Sequence, residues 1–151
     1  MTSTQRNHGR IVVGVDGSPS SLAALDWAAR QGELMGSSLE LVMAWEWPTV
    51  YGVPFAFPTD WDPAADAARV LDEAVATIRG NHADVDIQQT VVEGHPAPAL
   101  VGASRGAQLL VVGCRGHGEF AGMLLGSVSA FLATHAHCPV VIVRGDEKKT
   151  D

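Results

Sequence analysis

Five short runs of β-branched and aliphatic residues recur along this chain, and segments with helical spacing separate most of them. Ile11 to Val15, Leu39 to Trp45, Val85 to Val92, Gln108 to Val112 and Val140 to Val143 read as strands. Ser18 has helix-start chemistry, with Pro19 at the first helical position. Leu22, Leu25, Ala29, Gly32 and Met35 then mark one face until Gly36 stops the helix. Pro63 to Arg79 carries Ala67, Val70 or Leu71, Ala74 and Ile78 on one stripe, and Pro98 to Ser104 and Ser127 to His135 form shorter helices. Such strands alternating with helices predict an α/β chain: an open parallel sheet covered by helices on both faces. Ligands of these sheets sit beyond the carboxyl ends of the strands, where the strand order reverses.

The fourth run leads directly into a glycine-rich loop. Five glycines, Gly113, Gly116, Gly118, Gly122 and Gly126, fall within fourteen residues before a helix begins at Ser127, read as its N-cap. Glycines tolerate positive φ and let backbone N–H groups approach a ligand closely. A helix N-terminus beyond them adds donors and a positive dipole end, so the segment reads as a cradle for nucleotide phosphates.

Charge distribution agrees with that reading. The formal charge is −7, which argues against nucleic acid or an anionic membrane as a partner. Residues 95–145 nevertheless carry Arg105, Arg115 and Arg144 against Glu119 alone, together with His95, His117, His135 and His137. Carboxylates have been cleared from the stretch that holds the glycines, which suits an anionic small ligand. No apolar run approaches the length of a membrane span, and the N-terminal residues resemble neither a secretory signal nor a transit helix. Cys114 and Cys138 form neither a disulfide framework nor a metal spacing, so a reducing cytoplasm is expected. The expected organisation is a flexible stretch at 1–9, one domain over 10–144 and a disordered charged tail at 145–151.

Residues 46–62 break the regularity. This insert holds five of the nine aromatic residues, and Trp45 adjoins it. A flap over the ligand, a surface for a partner subunit and a cover for the sheet edge all remain open.

The spacing Gly113-x2-Gly116-x9-Gly126-Ser127 resembles the nucleotide-binding signature of the universal stress protein family. Val13-Gly14-Val15-Asp16-Gly17-Ser18, Gly94 and Pro139-Val140-Val141-Ile142-Val143 look like its other landmarks, so the similarity spans about residues 10–144. The resemblance implies a Rossmann-like sheet of order 3-2-1-4-5, similar to adenine nucleotide alpha hydrolases, and a homodimer, often formed through the last strand. It also implies ATP, with Mg2+ or Mn2+ as companion ion. Asp16 would face the ribose or adenine region, and Met43 or Ala44 the adenine. Gly113, Gly116, His117, Gly126, Ser127, Val128 and Ser129 would face ribose and phosphates. The aromatic insert varies within the family, and nothing transfers onto it.

Individual residues carry structural readings beside these. Asp16 also suits closure of the turn to Gly17, and Pro19 makes that turn poor in N–H donors. Arg115 and His117, with Gly118 beside them, sit inside the cradle. Arginine suits bidentate phosphate contact and histidine suits donation to phosphate or ribose, but a solvated loop accounts for them equally well. His135 and His137, two residues apart at a helix end, point in different directions and read as structural. An ATP-binding sensor or switch is therefore the expected function, with a binder of cyclic AMP or another adenine nucleotide, a slow ATP hydrolase and a ligand-free docking module as alternatives. Dedicated catalysis lacks support, because the loop contains only Glu119 to activate water and no Walker motif occurs.

Overall fold

The computed structural model describes residues 9–50, 53–54, 58–115 and 125–145. Its elements are β1 (Arg10–Gly14), α1 (Pro19–Met35), β2 (Ser38–Trp45), β3 (Thr49–Val50), β4 (Val53–Pro54), α2 (Pro63–Arg79), β5 (Ile87–Glu93), α3 (Pro96–Ser104), β6 (Leu109–Gly113), α4 (Ser127–His135) and β7 (Val140–Val143). The main sheet runs β5-β2-β1-β6-β7 with every pairing parallel, which is order 3-2-1-4-5 among its own strands, as expected. Order reverses between β1 and β6, so the switch point lies above Gly14 and Gly113.

Strand periodicity sorts the core into two layers. Ile11, Val13, Leu39, Leu41 and Val111 pack under α1 and α2, while Val12, Val42, Leu110 and Val112 pack under α3 and α4. Both layers contain fully buried side chains, which is why the strand sequences read as near-continuous apolar runs.

Helix starts follow from short polar side chains. Asp16 Oδ1 accepts the Ser18 N–H at 2.8 Å, Gly17 takes φ 81°, and Ser18 Oγ accepts the Ser21 N–H at 3.3 Å to cap α1. Asp62 caps α2 in the same way, through the Ala65 N–H at 3.1 Å. On α2 the buried stripe is Ala67, Leu71, Ala74 and Ile78, so Leu71 rather than Val70 faces the sheet.

Several details depart from the sequence reading, beyond one-residue shifts at the ends of β1, β2 and β6. The third main-sheet strand starts at Ile87, and Val85 instead fills the core next to Ile78 and α1. Helix α3 begins two residues early, because Pro96 also tolerates the first helical position. Gly126, not Ser127, occupies the cap of α4: the Gly126 carbonyl accepts the Ala130 N–H at 3.0 Å, which places Ser127 inside the helix. On α1 the buried face is Ala24, Leu25, Ala28, Ala29 and Gly32, leaving Met35 exposed and Leu22 half-buried. Small residues on that face let α1 lie close to the chain beneath it: a Cβ on Gly32 would sit 3.0 Å from the Ser37 carbonyl oxygen.

Two polar clamps tie the periphery together. Arg10 donates to Glu40 Oε2, Ala103 O and Arg105 O, each at 3.0 Å, at the amino ends of β1 and β2. His82, buried after α2, sets Nδ1 against Glu33 Oε1 and Nε2 3.0 Å from Asp26 Oδ1, both on α1. Both ring nitrogens face carboxylates, so the ring satisfies both only as an imidazolium. The Glu33 hydrogen bond first, then Asp26, holds its pKa above the ordinary value, against the opposing effect of burial.

The insert is anchored at its described ends. Thr49–Val50 pairs antiparallel with Val53–Pro54. Trp47 meets Trp45 and Trp61 edge-to-face at centroid distances of 5.7 and 5.6 Å, and Trp61 Nε1 donates to Asp66 on α2 at 3.0 Å.

Candidate functional site

A cavity of about 110 Å³ opens at the switch point, of the order that lodges one aromatic ring. The end of β1 supplies Gly14, Val15 and Asp16; β2 supplies Val42 and Ala44; β6 and its exit supply Val112, Gly113 and Arg115. Pro96 and Leu100 of α3 close one side, and Gly126, Val128 and Ser129 at the start of α4 close another. Val42, Ala44, Leu100 and Val112 give this space an apolar lining. Asp16 is its one carboxylate among the described residues.

The described glycines of the site, Gly14, Gly113 and Gly126, work through absent side chains and not through unusual φ. Positive φ occurs at Gly17, Gly36, Gly94 and Gly106, whereas Gly126 has φ −70°, which any residue adopts. A Cβ on Gly113 would lie 2.5 Å from Ser20 Oγ and 2.6 Å from the Ser20 carbonyl carbon. One on Gly14 would lie 2.9 Å from Leu100 Cδ1.

The two ends of the glycine loop are pinned side by side. The Gly126 N–H donates to Cys114 O at 2.6 Å, and the Cys114 N–H donates to Val143 O at 2.9 Å. Ser129, buried, donates its hydroxyl to Gly113 O at 2.6 Å, and Ser20 donates its hydroxyl to Arg115 O. First-turn residues Ser127 to Ser129 therefore open toward the carboxyl ends of β1 and β6, with no acidic residue in that turn.

Most of the described candidates gather here. Asp16, Ala44, Gly113, Arg115, Gly126, Val128 and Ser129 line the cavity. Ser127 borders an adjoining groove with His95, Pro96, Ala97, Pro98, Val128 and Phe131. Met43 does not join them: strand parity turns it to the opposite face, against the α1 and α2 core, and Val42 takes the cavity wall beside Ala44. Gly116, His117 and Gly118 lie outside the described residues. His135 stacks on Phe131 at 4.0 Å and faces its carbonyl, while the His137 N–H donates to Ser104 Oγ at 3.0 Å. Sequence reading missed Gly14, Val42, Pro96, Leu100 and Val112. Period two back from Ala44, and a turn of helix after Pro96, were the available signals.

Asp16 already spends one oxygen on the Ser18 N–H, and among the described residues no group of three metal-ligating side chains gathers. One carboxylate is too small a donor set for a protein-held divalent ion, which ordinarily needs phosphate oxygens and water as well.

Comparison with known proteins agrees with this architecture. The model of the Universal stress protein family matches residues 7–144. A universal stress protein of Mycobacterium tuberculosis is 38% identical over 146 residues, covering 91% of this chain and 48% of the relative. One from Mycolicibacterium smegmatis is 37% identical over 135 residues, covering 89% and 45%. The chain thus spans about half the length of the curated relatives it matches. Among solved structures, a universal stress protein in complex with cAMP aligns with TM-score 0.70 and 34% identity, covering 91% of this chain and 98% of that one. UspA from Lactobacillus plantarum aligns with TM-score 0.73 at 18% identity, covering 91% and 98%, a likeness of fold. No helix among the described residues is long and apolar enough to cross a membrane. With the family's model matched over residues 7–144 and the sheet order in place, this chain belongs to the universal stress protein family.

Proposed function

We propose that this protein binds an adenine nucleotide at the switch-point cavity and acts as a nucleotide-dependent sensor or switch in a stress response. The observation that carries the reading is one juxtaposition. An apolar slot made by Val42, Ala44, Leu100 and Val112 adjoins the pinned glycine loop and the start of α4. The slot suits a purine. The loop and helix start suit the anionic end, because main-chain donors and the helix dipole favour negative charge there. Asp16 suits a hydroxyl or amino group, since its carboxylate would repel phosphate.

ATP is the first ligand to consider, with phosphates along Gly113 to Ser129. Cyclic AMP is the second, favoured by the 34% identical universal stress protein solved in complex with that nucleotide. A divalent ion would neutralise phosphate charge when bound. The chain's own part is to hold the purine, to aim first-turn donors of α4 at the phosphates and to keep carboxylates away. Calorimetry with ATP, ADP, AMP and cyclic AMP, with and without magnesium, tests the reading. Saturable binding of at least one of them is expected, and uptake of none would overturn it. We also propose a homodimer through the outer edge of β7, which pairs only with β6 in the sheet.

A further inference from the structure

Beside the cavity lies a groove bordered by His95, Pro96 and Pro98 of the α3 start and Ser127, Val128 and Phe131 of α4. The two hollows share Pro96 and Val128 as walls, so the groove adjoins the proposed nucleotide site. Its surface is mostly apolar and contains no carboxylate among those side chains. Phe131, 41% exposed, stacks one face on the His135 ring at 4.0 Å and 14°. That partner holds the phenyl ring, which borders the groove. Phe131 stands one helical turn, about 5.4 Å of axial rise, from Ser127 and Val128 at the start of α4. An anion-favouring helix start therefore has an apolar slot on one side and an aromatic side chain on the other.

We propose that the preferred ligand class includes dinucleoside polyphosphates. One purine occupies the switch-point slot, the phosphate chain crosses the start of α4, and the second base stacks in the groove against Phe131. This inference rests on the proposed nucleotide site and extends it. A base in the switch-point slot leaves the adjoining groove vacant, and a second flat aromatic base joined through phosphates matches that groove's apolar, carboxylate-free lining. Base-on-aromatic stacking is sequence-tolerant and contributes about tenfold or more in affinity per base.

The test is calorimetry of the full chain with ATP and with diadenosine tetraphosphate, a ligand of comparable charge, repeated on Phe131→Ala. Phe131 is exposed, so its truncation leaves the core intact. The expected result is diadenosine tetraphosphate binding about tenfold more tightly than ATP. In Phe131→Ala that advantage should shrink to within about threefold while ATP affinity stays unchanged. ATP binding with no advantage for the dinucleoside ligand, or an advantage that survives Phe131→Ala, overturns the inference and leaves the mononucleotide reading standing. Binding of neither compound overturns the inference, and the mononucleotide reading falls with it only when ADP, AMP and cyclic AMP also fail to bind.

Discussion

Ser20 occupies the space that a side chain on Gly113 would need: its carbonyl carbon lies 2.6 Å from where that Cβ would be. The same serine donates its hydroxyl to the Arg115 carbonyl, so the first turn of α1 and the exit of β6 form one rigid unit at the cavity wall.

Gly113→Ala should therefore be costly although alanine is a small change. Besides the Ser20 hydroxyl, the nearest atoms are the Ser20 carbonyl carbon and oxygen, which are backbone and cannot rotate away, so about 1–3 kcal/mol of stability should be lost. Urea denaturation reads this, and nucleotide affinity should fall with it because the loop exit is displaced. A stability within about 0.5 kcal/mol of the parent would show that the contact relaxes freely.

Ser20→Ala separates the tether from the close packing. Loss of one hydroxyl hydrogen bond should cost about 0.5–1.5 kcal/mol, and a freed Arg115 carbonyl should weaken nucleotide binding several-fold. Calorimetry that finds affinity unaltered would assign Ser20 to folding alone.

Gly126→Val places a branched side chain on a buried cavity wall whose backbone, at φ −70°, accepts it without strain. Nucleotide binding should be abolished while unfolding stays cooperative. Retained affinity would argue strongly against phosphates at this position.

His82 makes stability fall toward alkaline pH. Its folded pKa is raised, chiefly by the Glu33 hydrogen bond and further by Asp26. The contribution is therefore complete below the unfolded value, about 6.5, and is lost as pH rises through the folded one. His82→Gln should flatten that slope in urea midpoints taken from about pH 5.5 to 9. Parallel pH profiles for the two proteins would remove His82 as the cause.

The proposed dimer has a specific handle in β7. Leu110 donates to Pro139 O and Cys114 donates to Val143 O, so strand alternation turns the N–H groups of Val140 and Ile142 outward. Ile142→Pro removes one outward donor and spares the ladder to β6. Light scattering should show twice the chain mass for the parent and one chain mass for the variant.

The fold was legible because its signals are local and periodic. Apolar runs such as Ile11 to Val13 and helix starts such as Asp16-Gly17-Ser18-Pro19 carry their own conformations. The cavity was half legible. Gly113 and Asp16 announce themselves at strand ends and Gly126 at a helix start, but Val42 and Leu100 are ordinary core residues until two elements distant in sequence meet. Met43 shows the limit most clearly. Met43 and Ala44 are neighbours on one strand, and only the parity of β2 decides that Val42 and Ala44, not Met43, border the hollow. The cap of α4 was misplaced by one residue because serine is so common at that position that glycine was overlooked.

That parity has a further consequence for how binding capacity is encoded. Sliding β2 by a single residue would exchange Ala44 for Met43 or Trp45 at the same depth, plugging the hollow with bulk while composition stayed unchanged. Insertions in the Gly36–Leu39 connection that shift this strand are thus expected to extinguish ligand uptake more completely than most point substitutions of the lining itself.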